Sequence, residues 1–368
     1  MNNHLVIMAG GVGSRFWPMS TIDNPKQFVD VLGVGKSLIQ LTMQRFAGIC
    51  RPENVWVVTN ELYVEKVKEQ LPEIPSENIL SEPCRRNTAP CICYVSWRIK
   101  IKDPGANIVV TPSDHIVTDT IEFQRVIKSA LQFTADSDAI LTLGMKPSRP
   151  ETGYGYIKAD FAACSMRNRN IYSVDLFKEK PSLDVAKEYI KQKDYFWNAG
   201  IFIWNVSTII NAFRLYAPTI NRVFERMQDV MGSKHEQQYI NENYSLCDNI
   251  SIDYAIIEKA EEIYVMPSDF GWSDLGTWGS LWSLTEHDDH GNSCIGNNIL
   301  TVNSSNCIVH ATDEKRVVIE GLDGYIVAEK EGVYKVTIIA EDASGNVSEY
   351  VYNIEIGPKN YTWIIIAS

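Results

Sequence analysis

Cysteine is scarce: there are 8 in 368 residues, and the one close pair, Cys91-Ile92-Cys93, lacks a second pair or histidines at zinc-site spacing. This argues against a disulfide scaffold and a structural zinc site, and the cysteines are expected to stay reduced as core or loop residues. Long hydrophobic runs are missing as well. No stretch approaches the ~20 apolar residues that span a bilayer. The opening Met1-Asn2-Asn3-His4-Leu5-Val6-Ile7-Met8-Ala9 has no basic segment, and its apolar run stops at Gly10-Gly11, too short for a signal peptide. A cytoplasmic protein without membrane association is the expectation. Positive charge is short too. A net charge of −12 excludes general nucleic-acid binding, which needs a broad basic surface. Anionic small substrates stay compatible if a few cations and a metal ion are focused in one cleft.

What is present is enough apolar material, 45% of residues, for a large domain plus a smaller one. Short apolar runs alternate with helical patterns at 4–9, 37–49, 55–59, 61–71 and 108–111, which indicates an α/β fold with a mainly parallel sheet. Behind a Ser37 N-cap, Ile39, Met43, Phe46 and Ile49 recur at helical spacing and predict one buried face. Residues 139–144 and 200–205 read as further strands and 206–216 as a helix, carrying the α/β region to about Leu284. From Gly291 to Lys330 short β-rich pieces with Gly and Asn punctuation take over (294–300, 307–310, 316–319). They predict a small β appendage.

The first strand runs into Gly10-Gly11-Val12-Gly13-Ser14-Arg15-Phe16-Trp17-Pro18, followed by Pro25-Lys26-Gln27-Phe28. Glycines let backbone N–H groups approach phosphate oxygens, and Arg15 and Lys26 supply countercharge. A plain glycine turn fits the same residues. The loop is neither a Walker A motif, since no Gly-Lys-Ser/Thr closes it, nor a dinucleotide fingerprint, since Phe16 stands at the last glycine position. Asp114 follows the apolar run at 108–111. It therefore falls just past a strand's carboxyl end, where open α/β sheets bind ligands. Such a carboxylate suits Mg²⁺, or caps a helix.

The run from Gly10 to Phe28 resembles the signature of nucleotidyltransferases that activate sugar phosphates, and its Pro-Lys-Gln-Phe ending resembles their guanylyltransferase branch. Further segments resemble that family in order: Glu82-Pro83-Cys84-Arg85-Arg86-Asn87-Thr88-Ala89-Pro90, Pro112-Ser113-Asp114-His115, Gly153-Tyr154-Gly155-Tyr156-Ile157, Phe177-Lys178-Glu179-Lys180-Pro181, Trp197-Asn198-Ala199-Gly200-Ile201-Phe202 and Gly271-Trp272-Ser273-Asp274-Leu275-Gly276-Thr277-Trp278. The resemblance covers about residues 4 to 330. It implies a Rossmann-like (GT-A-like) catalytic domain over 1–288 and a β-helix-like appendage over 289–330. It also implies GTP and mannose 1-phosphate as substrates, GDP-mannose and pyrophosphate as products, and Mg²⁺ or another divalent cation on Asp114 and Asp274. Gly10, Gly11, Gly13, Glu82, Arg86, Asn87 and Thr88 would then bind nucleotide. Gly153, Tyr154, Gly155, Glu179, Asn198 and Gly200 would bind sugar, and Arg15, Lys26 and Lys180 would be catalytic. On their own, Glu179 and Lys180 also read as a solvated charge pair, and Gly153-Tyr154-Gly155 as a strand turn.

After Lys330 the chain departs from the family pattern. Residues 331–350 resemble one hairpin of a bacterial immunoglobulin-like repeat, with Ala343-Ser344-Gly345-Asn346 as the turn. Too small to fold alone, it either packs on the appendage in place of the family's last strand or is a fusion or reading-frame artefact. The apolar Tyr361-Thr362-Trp363-Ile364-Ile365-Ile366 needs burial. Two other functions stay open: the same chemistry on another nucleotide and sugar phosphate, and a silent GDP-mannose-binding regulator. A homodimer is open as well.

Overall fold

A computed structural model describes residues 2–11, 16–311 and 316–328, and the backbone of 332–341, 347–356 and 364–367. Gly13, Arg15 and the Ala343–Asn346 turn lie outside the described residues. The chain divides into two compact units: Met1–Gly11 with Ser37–Asp274, and Val12–Lys36 with Leu275–Ser368.

The first unit runs β1 (Asn3–Met8), α1 (Leu38–Arg45), β2 (Val55–Asn60), α2 (Val64–Gln70), β3 (Ile79–Glu82), α3 (Thr88–Lys102), β4 (Asn107–Pro112), β5 (Ile116–Val117), α4 (Thr120–Ala135) and β6 (Ile140–Met145). It continues through β7 (Tyr156–Cys164), β8 (Tyr172–Lys178), α5 (Leu183–Tyr189), β9 (Tyr195–Asn205), α6 (Val206–Tyr216), α7 (Pro218–Glu225), α8 (Glu236–Asn243), β10 (Ile263–Ser268) and β11 (Trp272–Ser273). Nine strands form one sheet in the order β3-β2-β1-β4-β9-β6-β10-β8-β7, with β7 also pairing β9. Following the ladders, β3, β2, β1, β4, β6, β10 and β7 run in one sense, and β8 and β9 are reversed. The expected α/β class with a mainly parallel sheet is what forms.

Local sequence explains the elements. In α6, Val206, Ile209, Ile210 and Phe213 recur at helical spacing and are buried to 2% exposure or less. Each contributes about 2 kcal/mol of apolar burial. The Asn205 side chain caps that helix by accepting from Ser207 N at 2.9 Å. Helix α1 begins as expected, with Ser37 and Gln40 forming a capping box, but it stops at Arg45. The expected face holds in part: Ile39 and Phe46 are buried, but Met43 and Ile49 are only half-buried, and Leu38, Thr42 and Arg45 are buried instead. The reason is Gly48, whose φ of +77° turns the chain away.

The second unit contains α9 (Trp278–Trp282), β12 (Ser293–Ile295), β13 (Ile299–Val302), β14 (Ile308–His310), β15 (Val317–Glu320) and β16 (Tyr325–Ala328), then β17 (Gly332–Glu341), β18 (Val347–Ile356) and β19 (Ile364–Ala367). β12, β14 and β16 stack in parallel, as do β13 and β15, over a small core of Cys307, Val309, Ala311, Val317, Ile319 and Val327. The piece read as one stretch at 294–300 is split at Gly296, where φ is +129° and a Cβ would collide with the Ala311 carbonyl. β17 and β18 form an antiparallel hairpin, and β19 adds antiparallel to β16. All eight cysteines are free. Among the described residues no helix is long and apolar enough to cross a membrane.

Candidate active site

Three groups of motif residues gather along the carboxyl-end edge of the first unit's sheet. At the end of β1, Ala9 N donates to Val58 O at 2.8 Å and Ala9 O accepts from Thr59 Oγ1 at 3.0 Å, which fixes the approach to Gly10-Gly11. Glu82, the last residue of β3, lies against that loop. A Cβ on Gly10 would sit 3.1 Å from Glu82 Oε2, so glycine leaves the carboxylate room. Tyr244 donates its hydroxyl to Glu82 Oε1. Burial pushes the Glu82 carboxyl up to about 7, only partly offset by that bond. Arg86 donates to Ser245 O at 2.8 Å. Asn87 adopts a φ of +64°, its Oδ1 accepts from Thr88 N at 3.0 Å, and Thr88 Oγ1 accepts from Ile252 N at 2.9 Å.

The second group follows β4. Ser113 N donates to Met8 O at 3.2 Å, and the buried Arg45 donates to His115 O at 2.6 Å, so the Pro112-to-His115 turn is tied to β1 and α1. Burial lowers the Arg45 guanidinium to about 10, and the negative charge of Asp114 opposes that shift. Strand β11 pairs antiparallel with β5, matching Trp272 to Val117 and Ser273 to Ile116. Asp114, two residues before Ile116, and Asp274, one after Ser273, therefore flank the same end of this short ladder. Trp272 Nε1 donates to His115 Nδ1 at 3.2 Å, and Tyr154 donates its hydroxyl to Asp274 Oδ1 at 2.5 Å. The Tyr154 side chain is thus engaged with the metal-candidate carboxylate, its ring edge-on to Trp197 and Trp272. Among the described residues no group of three or more His, Cys, Asp or Glu is arranged to hold a metal ion. Two carboxylates that leave further positions to phosphate and water are nonetheless a donor set that suits Mg²⁺.

The third group surrounds the start of β7. A Cβ on Gly155 would collide with Glu179 Oε2 and lie 3.4 Å from Asn198 Cβ, so a glycine here leaves these side chains room against the backbone. Asn198 N donates to Gly155 O at 2.8 Å. Gly153 N donates to Glu151 Oε1 at 3.1 Å, which shapes the preceding turn. Glu179 is buried, and Lys180, 58% exposed, places its Nζ 3.1 Å from Glu179 Oε1. Lys180 has a φ of +45°, a strained conformation for a lysine, and its N donates to Tyr154 O. Gly200 adopts a φ of +68°, and a Cβ there would lie 3.5 Å from the Pro112 ring.

Lys26 belongs to the second unit. It is only 5% exposed, donates to Leu275 O at 2.9 Å and lies 5.7 Å over the Phe16 ring. Arg15 and Gly13 are outside the described residues.

A nucleotidyl transferase family model matches residues 4–291. The chain belongs to that family. Among its relatives are a putative mannose-1-phosphate guanylyltransferase of Vibrio cholerae, 34% identical over 94% of this chain and 75% of that protein, and the mannose-1-phosphate guanylyltransferase of Escherichia coli K12, 32% identical over 91% and 72%. A solved structure from Thermus thermophilus, described as a mannose-1-phosphate geranyltransferase, superposes with a TM-score of 0.79 at 30% identity over 95% of both chains.

Sequence reasoning missed several residues of this nucleotidyltransferase that hold the motif residues. Tyr244, Ser245, Ile252 and Asp253 come from one segment that carries no motif, and they bind Glu82, Arg86, Thr88 and Asn198. Arg45 was hidden in a helix read only for its apolar face. A charge at a position otherwise spaced like a core residue was the one available signal.

Proposed function

We propose that this nucleotidyltransferase transfers GMP from GTP to mannose 1-phosphate, giving GDP-mannose and pyrophosphate. The observation that carries the reading is that one sheet edge combines a buried carboxylate beside the Gly10 loop with a bare glycine backbone at Gly155. Glu179 and Asn198 lie against that backbone. The names of the relatives supply the particular base and sugar.

Guanine carries two adjacent N–H donors, at N1 and the 2-amino group. The ionised Glu82 carboxylate accepts both, whereas adenine offers no matching pair, so a wrong base leaves the carboxylate with the Tyr244 hydroxyl but without the two base donors. The hexose rests on Gly155, with Glu179 accepting from its hydroxyls. Lys180 draws in the sugar phosphate, exchanging Glu179 for the substrate as its partner. An oxygen of that phosphate attacks the α-phosphorus of GTP, a new P–O bond forms, and the bond to the β-phosphate oxygen breaks. The nucleophile is already an anion, so no general base is needed, and catalysis rests on positioning and charge. Lys26 and Arg15 supply positive charge for the triphosphate and the departing pyrophosphate. Asp114 and Asp274 would hold Mg²⁺ or a similar cation, which supplies Lewis-acid charge neutralisation at phosphate. Tyr154 orients Asp274 for that task. The cytoplasm, where nucleoside triphosphates are made, is the compartment this reading implies.

The test is pyrophosphate release from four nucleoside triphosphates against mannose, glucose and N-acetylglucosamine 1-phosphates. GTP with mannose 1-phosphate should give the highest kcat/KM. A clear preference for dTTP or UTP would overturn the assignment.

A further inference from the structure

We infer that Asp253 is a positioning residue of the sugar site: its carboxylate aims the Asn198 amide so that one N–H faces a hexose hydroxyl next to Glu179. The inference rests on the proposed sugar 1-phosphate site and names a residue that no motif marks.

The argument starts from the hydrogen-bond inventory of one amide. Asn198 Oδ1 accepts from Gly200 N at 3.2 Å and from Thr142 Oγ1 at 2.9 Å. A backbone N–H can only donate, so the amide oxygen is fixed at that end and the NH2 group at the other. There Asn198 Nδ2 donates to Asp253 Oδ1 at 3.0 Å. One Nδ2 hydrogen is then committed, and the second is directed by the first, since the amide is planar. Asn198 Cβ and Glu179 Oε2 both lie beside Gly155, where an added Cβ would meet them. A hydroxyl seated beside Gly155, with the Glu179 carboxylate turned to receive it, can accept from the remaining amide hydrogen and donate to Glu179. This double role reads the direction of the O–H bond as well as its position. Without Asp253 the amide would keep its oxygen anchored but lose the contact that sets its plane.

The fold maintains Asp253 at some cost. Its residue is half-buried, yet the carboxyl sits deep: burial first, then the charge of Glu179, push it up to about 7. It opens a single π-helical turn, Asp253–Ile257, a geometry that concentrates at functional sites. Glu258, at the other end of that turn, accepts from Glu179 N at 3.2 Å. One turn therefore holds both residues beside Gly155, Asn198 through a side chain and Glu179 through its backbone.

Steady-state kinetics of Asp253→Ala, Asp253→Asn, Asn198→Ala and the Asp253→Ala/Asn198→Ala double variant, with circular dichroism to confirm folding, test this. Asp253→Ala should raise KM for the sugar phosphate at least tenfold while changing KM for GTP less than threefold. Asp253→Asn keeps an acceptor oxygen and should recover the sugar KM to within about threefold of wild type. The double variant should be no worse than Asn198→Ala, because Asp253 acts through that amide. Multiplicative losses in the double variant, or equal rises in both KM values, would overturn the inference. If Asp253→Ala does not fold, a tenfold loss in Asp253→Asn would overturn it alone. The sugar phosphate used is whichever the wild type turns over best. A wild type that prefers another hexose thus contradicts the proposed substrate without touching the coupling between these two residues.

Discussion

Tyr244 donates its hydroxyl to the carboxylate of Glu82, a residue 162 positions earlier. The pair sits beside Gly10, and together with burial it sets the protonation of the acid proposed to read the base. Glu82→Gln replaces a double acceptor by a group with one acceptor and one donor. KM for GTP should rise about tenfold or more, and the preference for GTP over ITP, which lacks the 2-amino group, should shrink. Initial rates with both nucleotides check this, and an undiminished preference would remove Glu82 from base reading.

The same residue makes stability depend on pH. Glu82 stands at about 7 in the fold against an ordinary 4.5, so between those values the native state holds a proton that the unfolded chain has lost. Its contribution is full below about pH 4 and is lost as pH rises through 7, a change on the order of 3 kcal/mol. The Tm should therefore fall between pH 5 and 8, and fall less steeply in Glu82→Gln. Parallel slopes for the two proteins would contradict the shift.

Asp114 and Asp274 flank one end of the β5–β11 ladder, and Tyr154 donates to Asp274. Asp114→Asn and Asp274→Asn should each lower turnover by several kcal/mol of lost charge stabilisation, with the double variant little worse than either single one. Tyr154→Phe should act more mildly, raising the Mg²⁺ needed for half-maximal turnover about tenfold, as for loss of one hydrogen bond to a charged group. Titrating turnover against Mg²⁺ decides. An unchanged metal dependence would exclude the residue concerned.

Gly155→Ala places a methyl group against the Glu179 carboxylate. Overpacking of this kind costs about 1–3 kcal/mol. The expected kinetic signature is a sugar-phosphate KM raised tenfold or more with the GTP KM within threefold. Equal effects on both substrates would argue against a sugar site at Gly155.

Away from these groups, Arg98 donates to Glu236 at 2.6 Å, and Glu236 also accepts from Tyr94 at 2.7 Å. Arg98→Ala leaves a carboxylate buried without its cation and should cost about 3–5 kcal/mol. Denaturant unfolding should show that loss while kcat below the transition stays near wild type. A fall in kcat without a fall in stability would contradict this separation.

How much of this was legible beforehand depends on the range of the interaction. The alternation of apolar runs and helical spacing is local, and it predicted β1, β2, β4, β6 and α6 closely. Asp114 was placed past a strand end because the run before it is continuous and apolar. What could not be read was pairing across the chain. Nothing in Gly271-Trp272-Ser273-Asp274 says that two of its residues join a two-residue ladder with Ile116 and Val117. The segment 244–253 has neither glycine pattern nor charge pair, and its partners lie 55 to 164 positions away. The end of α1 failed for the opposite reason, since one glycine at φ +77° overrode an apolar spacing that continued past it.

The antiparallel pairing of β19 with β16 has a genetic meaning. A premature stop codon after Ala328 would spare every segment that carries a motif and remove the strand that covers the edge of β16. The catalytic sequence would be translated whole, yet the shortened product would present an open row of backbone donors and acceptors, the kind of edge that recruits other chains. Such an allele would be scored as a loss of function in cells, through precipitation and turnover of the product, while the small soluble fraction recovered from them kept its specific activity. β19 would thus serve solubility, independently of the segments that carry the chemistry.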